Sequence, residues 1–109
     1  MSSRSDLFRT LLHQKVLVAD GAMGTMLQAA DPSMDDFQGH EGCNEILNVP
    51  RPDVVRSVHD AYFEVGVDAV ETNTFGANLT NLGEYDISHR ISELASAGAR
   101  IARRGGSLR

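Results

Sequence analysis

Cysteine, positive charge and long apolar runs are all scarce in this chain of 109 residues, and each shortage excludes a class of protein. A single cysteine, Cys43, rules out an internal disulfide and suits a reducing cytoplasm. A net charge of −5 argues against binding to nucleic acids or anionic membrane surfaces. No apolar run is long enough to cross a bilayer, and the first residues lead into no signal-peptide core. We therefore expect one soluble cytoplasmic domain, or part of a larger one.

Two common phosphate-binding motifs are also missing, although a glycine turn is present. Residues 16–19 form a short apolar run that leads directly into Asp20, and residues 21–25 read Gly-Ala-Met-Gly-Thr. This turn has neither the Gly-Lys-Ser/Thr of a P-loop nor the Gly-x-Gly-x-x-Gly of dinucleotide-binding folds. The run predicts a strand buried on both faces, with Asp20 at its carboxyl end.

The chemistry of this strand end suits a zwitterion such as an amino acid. The Asp20 carboxylate offers a partner for a cation, and Gly21 and Gly24 let the backbone come close to a ligand. Good helix formers at 25–30 predict a helix start, whose free N–H groups would hold an anion. The alternative is a structural turn in which Asp20 only caps the helix, and local chemistry does not decide between the two.

A second strand is predicted at residues 67–75, and its polar residues crowd its carboxyl end. Glu71, Asn73 and Thr74 are costly to bury unless they find partners. Such a strand is typical of the ligand-facing rim of a β/α barrel. The alternative is a half-exposed strand with polar residues facing water, but the helix–strand spacing favours the rim.

Helices are predicted before, between and after these strands. Apolar spacing and end signals place them at residues 6–14, 25–30, 52–65 and 88–103, with a weak helical piece at 81–86. Ser5 is the predicted cap of the first helix. Residues 31–50 are predicted to be a loop that places Ile46 and Leu47 in the core. The alternation of helices and buried strands predicts an α/β protein with a parallel sheet.

Three features resemble functional groups but are given structural interpretations. Asp35 and Asp36 are adjacent carboxylates in a loop, which are usually solvated. His40 and Cys43 have the spacing His-x-x-Cys, but a zinc site needs three or four ligands. His59, on the helix predicted at 52–65, is interpreted as a surface histidine. We therefore predict no metal ligand in this chain.

Five segments in this order resemble the homocysteine S-methyltransferase family, and within it the cobalamin-dependent methionine synthases. They are residues 20–25 (DGAMGT), 42–47 (GCNEIL), 51–55 (RPDVV), 61–66 (AYFEVG) and 71–76 (ETNTFG). Each segment alone has low specificity for the family, but the five together are specific for its homocysteine-binding domain. The resemblance covers residues 15–104, and residues 42–45 and 81–86 favour the methionine synthases over the betaine-type enzymes.

The resemblance implies a (β/α)₈ TIM-type barrel, incomplete in this chain, which holds its first two β/α units. The implied reaction transfers a methyl group from methylcobalamin, recharged by methyltetrahydrofolate, to the sulfur of homocysteine to give methionine. A zinc ion on three cysteines makes that sulfur a thiolate at neutral pH. No catalytic residue is implied here, and the implied substrate-binding residues are Asp20, Gly21, Ala22, Met23, Glu71, Asn73 and Thr74.

The chain also departs from this family. A complete barrel takes ~250 residues, and Cys43 matches none of the zinc cysteines, which lie late in the barrel. The cobalamin motif Asp-x-His-x-x-Gly and the folate domain are missing. We therefore expect a truncated or frame-shifted fragment: residues 1–104 begin the homocysteine-binding domain, and 105–109 form a flexible or unrelated tail. Alone it would bind neither zinc nor cobalamin and would therefore be inactive. Its expected partners are homocysteine, the rest of the barrel and the downstream folate and cobalamin domains.

Three other functions remain open at this point. The chain could come from a betaine-type homocysteine S-methyltransferase, or it could be a non-catalytic amino-acid-binding or interaction module that uses the same turn. A barrel enzyme that binds phosphate at residues 21–24 ranks last. No Lys or Arg lies near that turn, and barrels usually place a phosphate site late in the chain.

Overall fold

The computed structural model describes residues 3–107, and the side chains of residues 3–103. Helices dominate this part of the chain. In chain order they are α1 (Arg4–Gln14), α2 (Gly24–Ala29), the 3-10 helix η1 (Asn44–Asn48), α3 (Pro52–Glu64), α4 (Leu79–Gly83), the 3-10 helix η2 (Ser88–Arg90) and α5 (Ile91–Ser107). No helix within residues 3–107 is both long and apolar enough to span a membrane.

The two predicted strands are not formed as strands in the described residues, so the predicted β/α units are not seen. Their segments run in the same direction and meet in one isolated parallel bridge, between Ala19 and Ala69. Val16 and Val18 are 86% and 53% exposed instead of buried on both faces. A parallel ladder is stable when layers cover both of its faces, and this segment lacks such cover. The prediction of a buried strand is wrong here.

Asp68 joins the beginnings of the two bridged segments. Its carboxylate accepts hydrogen bonds from the Val18 backbone N–H and from Lys15 Nζ, each at 2.9 Å. These two donors lower the pKa of Asp68, with the backbone N–H as the larger cause. The Asp68 N–H in turn donates to Val18 O at 2.7 Å. The bridge at Ala19 is therefore supported from one side by side-chain as well as backbone contacts.

Helix α1 begins two residues earlier than predicted because a different serine caps it. Ser3 Oγ accepts from the Asp6 N–H at 3.1 Å, and the Asp6 carboxylate accepts from the Ser3 N–H at 3.4 Å. This reciprocal pair is a capping box, which Ser5 cannot form with the same acid. No residue of α1 is buried, and Leu7 and Phe8 are 53% and 50% exposed.

The other α-helices correspond to predicted ones with shifted ends. Pro52 opens α3, as predicted. The weak piece predicted at 81–86 begins earlier because Asn78 Oδ1 accepts from the Asn81 N–H at 2.8 Å and caps α4. The helix predicted at 88–103 is divided into η2 and α5. For the predicted tail, the backbone of 105–107 continues α5, and residues 108–109 lie outside the described residues.

The core lies where α3 and α5 pack against η1. The loop predicted at 31–50 thus contains a short helix, and the predicted burial of Ile46 and Leu47 is confirmed, each at 0% exposure. Val55 from α3 and Leu94 from α5 are also 0% exposed. This apolar contact is the main source of stability, because burial of such side chains contributes about 1.5–3 kcal/mol each.

Gly98 lets α5 approach the segment that follows the second bridged residue. A Cβ atom at Gly98 would lie 2.8 Å from Thr74 Cγ2, 2.9 Å from Asn48 Nδ2 and 3.3 Å from Asn73 O. These separations are shorter than ordinary van der Waals contact, so a side chain there would push the helix away.

We expect Gly98→Ala to lower the free energy of unfolding by about 1–3 kcal/mol, the usual cost of overpacking. Urea denaturation followed by circular dichroism measures this loss. Gly83→Ala is the matched control because no atom would lie within 4 Å of its Cβ. Alanine there is expected to be neutral or stabilising, and an equal loss in both variants would contradict the interpretation.

Candidate functional site

The first predicted site segment, residues 20–23, is attached on two sides. Asp20 Oδ1 accepts a hydrogen bond from the Glu71 backbone N–H at 3.0 Å, which ties it to the second bridged segment. Tyr62 Oη, on α3, donates to Ala22 O at 2.9 Å. Met23 precedes α2 and packs against the core. The backbone of this turn is therefore held in place before any ligand arrives.

The two glycines of this turn have ordinary backbone angles. The described glycines with positive φ are Gly39, Gly42 and Gly66, and neither Gly21 nor Gly24 is among them. A Cβ atom at Gly21 would lie 3.4 Å from Tyr62 Oη, which is ordinary contact. Helix α2 has six residues and contributes less dipole than a longer helix. The anion-binding hypothesis therefore depends on the N–H groups of the turn itself.

The second predicted site segment contains one buried and two more accessible side chains. Glu71 is exposed, and Thr74 is half-buried with its hydroxyl 2.6 Å from that of Thr72. Asn73 is 4% exposed, and its Nδ2 donates to Asn44 O and to Asn48 Oδ1, both at 3.0 Å. The amide nitrogen of Asn73 is thus bound within the protein, whereas the side chains of Glu71 and Thr74 are more accessible to a ligand.

Both segments leave the bridge at the same edge. Asp20 follows the bridged Ala19, Glu71 lies two residues after the bridged Ala69, and the bond between Asp20 Oδ1 and Glu71 N joins them. The structure therefore brings together the two ends that the sequence predicted to be neighbours.

Sequence reasoning missed Glu45, a buried carboxylate beside this edge. Glu45 is 7% exposed, its Oε2 accepts from the Gly76 N–H at 3.1 Å, and its Oε1 lies 3.9 Å from Cys43 Sγ. The sequence feature that could have indicated its burial is its position directly before the apolar pair Ile46 and Leu47. In the structure, four residues of this short helix are buried.

His59 was predicted to be a surface residue, and this prediction is wrong. Its side chain is 0% exposed, and neither ring nitrogen has a hydrogen-bond partner among the described residues. Its place on α3, four residues after Val55 and three before Tyr62, lies on the apolar stripe and could have revealed its burial. Burial lowers the pKa of His59, although the negative charges of Asp20 and Asp60 oppose this shift.

We expect the free energy of unfolding to fall as pH drops below 6.5, the ordinary pKa of histidine. The unfolded chain takes up a proton there, whereas the buried ring of His59 does so only at lower pH. The stability is therefore complete above 6.5 and is lost as pH falls toward the lowered pKa of the folded state. Urea denaturation at several values from about pH 7.5 to about pH 5.5 measures the slope.

His59→Leu removes this titration and is expected to flatten the slope. His13→Gln is the control, because His13 is an exposed histidine on α1. Equal slopes in the original chain and in His59→Leu would contradict the expectation.

Two of the side chains considered as metal ligands, Asp36 and His40, are engaged in other contacts. Asp36 accepts from Arg51 Nη1 at 2.7 Å, and the Ser33 N–H and Arg51 lower the pKa of its carboxyl group. The ring of His40 packs edge-on against Tyr85, with 6.1 Å between the ring centroids. Asp36 therefore serves as an ion-pair partner, and His40 as a packing residue.

The described residues do not fit a zinc ion. Among them no cluster of three or more His, Cys, Asp or Glu side chains could hold a metal. Burial raises the pKa of the Cys43 thiol, so this sulfur stays protonated at neutral pH and is a poor metal ligand.

Two parallel segments end beside each other with an acid on each end, and this shared edge is the candidate ligand site. The chain matches the family model for homocysteine S-methyltransferase over residues 17–107, and it belongs to that family. This confirms the resemblance found in the sequence motifs.

Curated relatives carry the name methionine synthase. The protein of Mycobacterium tuberculosis is 65% identical over 94 residues, which cover 86% of this chain and 8% of that protein. The protein of Mycobacterium leprae is 60% identical over 100 residues, which cover 92% of this chain and 8% of that protein. The chain thus spans about 8% of the length of these relatives.

Proposed function

We propose that this chain is the N-terminal, substrate-binding part of a cytoplasmic methionine synthase. The proposed reaction moves a methyl group from methylcobalamin, recharged by methyltetrahydrofolate, to the sulfur of homocysteine. The observation that carries the proposal is the hydrogen bond between Asp20 Oδ1 and Glu71 N at 3.0 Å. It joins the ends of two segments that lie within the residues matched by the homocysteine S-methyltransferase family model.

The proposed fold of the whole domain is a (β/α)₈ barrel. The parallel bridge between Ala19 and Ala69 supports this proposal, because adjacent strands in such barrels are parallel. Ligands in these barrels bind at the carboxyl ends of the strands, which is the edge where Asp20 and Glu71 lie. The exposed Val16 and Val18 would be buried once further strands and helices pack on them.

In the proposed site, homocysteine is bound by its amino-acid end. The carboxylates of Asp20 and Glu71 attract the ammonium group, since opposite charges close together favour the ionised forms. The backbone N–H groups at Gly21, Ala22 and Met23 are the proposed donors to the substrate carboxylate. Asn73 and Thr74 complete the wall of the pocket, and the half-buried hydroxyl of Thr74 is an additional hydrogen-bonding group.

The thiolate of homocysteine has to be generated by groups other than the described side chains. Cys43 is buried and protonated at neutral pH, and the described residues offer no metal cluster. The zinc and cobalamin of the proposed enzyme would therefore be held elsewhere, in the later barrel and in downstream domains. On this proposal the chain binds and orients the substrate but does not transfer the methyl group alone.

A chimera tests the proposed enzyme. The 94 aligned residues of the Mycobacterium tuberculosis methionine synthase are replaced by those of this chain, with which they are 65% identical. We expect methionine formation within about tenfold of the parent enzyme, a change of about 1.4 kcal/mol in transition-state free energy. A well-folded chimera that forms no methionine would contradict the proposal.

Direct binding tests the proposed site in this chain. Isothermal titration calorimetry should detect homocysteine binding, and Asp20→Asn should weaken it by about 1.5–3 kcal/mol, the worth of a hydrogen bond to a charged group. Asp31→Asn is the matched control, because it removes the same charge from an exposed residue outside the site. Equal affinity for all three proteins would exclude Asp20 from the site.

A further inference from the structure

The loop that carries Asn73 and Thr74 is not held by apolar packing. The Phe75 side chain is 98% exposed, and Glu71 and Thr72 are also exposed. A loop with so little buried apolar surface keeps one conformation only where polar contacts fix its backbone.

Some of these contacts are short-range turn bonds, such as that from the Thr74 N–H to Thr72 O at 2.8 Å, and most of those that reach the loop from a helix come from η1. At one end of the loop, Asn48 Nδ2 donates to Asn73 O at 2.9 Å, and Asn48 Oδ1 accepts from Asn73 Nδ2 at 3.0 Å. At the other end, Glu45 Oε2 accepts from the Gly76 N–H at 3.1 Å. The two attachments flank Thr74, so η1 holds the backbone on both sides of this residue.

The attachment at Gly76 leaves no room for a Cβ atom unless the side chains of Glu45 and Asn81 move. A Cβ atom at Gly76 would lie 2.8 Å from Glu45 Oε1 and would also overlap Asn81 Nδ2. Asn81 Nδ2 donates to Gly76 O at 2.9 Å, so the N–H and the carbonyl of Gly76 are both bound. This close fit identifies the contact with Glu45 as a built feature of the loop.

A buried carboxylate is an expensive way to bind one backbone N–H. Glu45 is 7% exposed, and no Lys or Arg of the described residues pairs with it. An apolar residue of similar size would fill the same space without desolvating a charge. Core stability alone therefore does not account for an acid here, whereas the need to fix the Gly76 peptide does.

We propose that Glu45 is the positioning residue of the substrate-binding loop 73–76. Its carboxylate holds the Gly76 N–H, and this contact keeps the Thr74 hydroxyl at the edge shared with Asp20. Glu45 does not touch the substrate itself. The inference rests on the proposed function in one respect, namely that this loop binds homocysteine.

Hydrogen exchange tests the attachment without any ligand. In the isotope-labelled chain, Glu45→Ala should accelerate exchange of the Gly76 amide by about tenfold, the ordinary worth of one hydrogen bond. Glu45→Gln keeps a carbonyl acceptor of the same length and should restore protection to near the original rate. Glu84→Ala, which removes an exposed acid after α4, should leave the Gly76 amide unchanged. Unchanged exchange in Glu45→Ala would overturn the proposal.

Homocysteine affinity, measured by calorimetry, tests the functional consequence. Glu45→Ala should weaken binding by about tenfold, and Glu45→Gln should stay within about threefold of the original chain. Val58→Ala destabilises the core but removes none of the hydrogen bonds of the loop, so it should leave the affinity unchanged, which separates positioning from a general loss of stability.

The two measurements distinguish failure of the inference from failure of the proposed function. If the original chain binds homocysteine and Glu45→Ala binds it equally well, the inference is overturned and the proposed function stands. If the original chain binds no homocysteine, the proposed site is wrong for this chain. The exchange rate of Gly76 then still decides whether Glu45 holds the loop.

Discussion

The side chain of Asn48 connects the three parts of the structure on which the site depends. Its amide donates to Asn73 O at 2.9 Å and to Leu94 O at 3.1 Å, and its oxygen accepts from Asn73 Nδ2. One buried residue of η1 thus binds both the second bridged segment and α5. A buried amide with unsatisfied groups would be strongly destabilising, so these hydrogen bonds are expected to form and break together. The apolar core brings the helices together, and Asn48 attaches the Asn73 end of the loop at 73–76 to them, opposite the attachment of Gly76 by Glu45.

Polar burial is concentrated around the candidate site. The buried polar side chains among the described residues are Glu45, Asn48, His59 and Asn73. Three of them form the contacts between η1 and the loop, and the fourth lies within the electrostatic influence of Asp20. Groups that are costly to bury are usually retained where geometry matters more than stability. The distribution of these residues therefore places most of the buried polar groups next to the candidate site.

Features with a local origin could be predicted from the sequence, and features with a long-range origin could not. The burial of Ile46 and Leu47, and that of Val54, Val55 and Val58 on α3, follows from local apolar patterns, and the structure confirms it. Val65, at the end of the same stripe, is instead 79% exposed. The adjacency of Asp20 and Glu71 was predicted from the positions of polar residues after two apolar runs. The strands were over-predicted because burial on both faces depends on covering layers, which a local run of valines does not encode.

The missed residues share one cause. His59 and Glu45 are polar side chains in buried positions, and residue type suggested exposure for both. For His59 the helical spacing indicated a position on the buried face of α3, whereas the polarity of the side chain suggested exposure. For Glu45 the irregular 3-10 geometry of η1 offered no period to read. The contact of Glu45 with Gly76 joins residues 31 positions apart, and only the folded chain brings these residues together.

The double acceptor at Asp68 has a consequence for strand alignment. Because its carboxylate binds both Lys15 and the Val18 backbone, it sets which residues of the two segments stand opposite each other. A slip of one residue would turn every following side chain to the opposite face. Asp20 would then no longer meet the Glu71 peptide, so the contacts of Asp68 beside the bridge help to set the register at the candidate site.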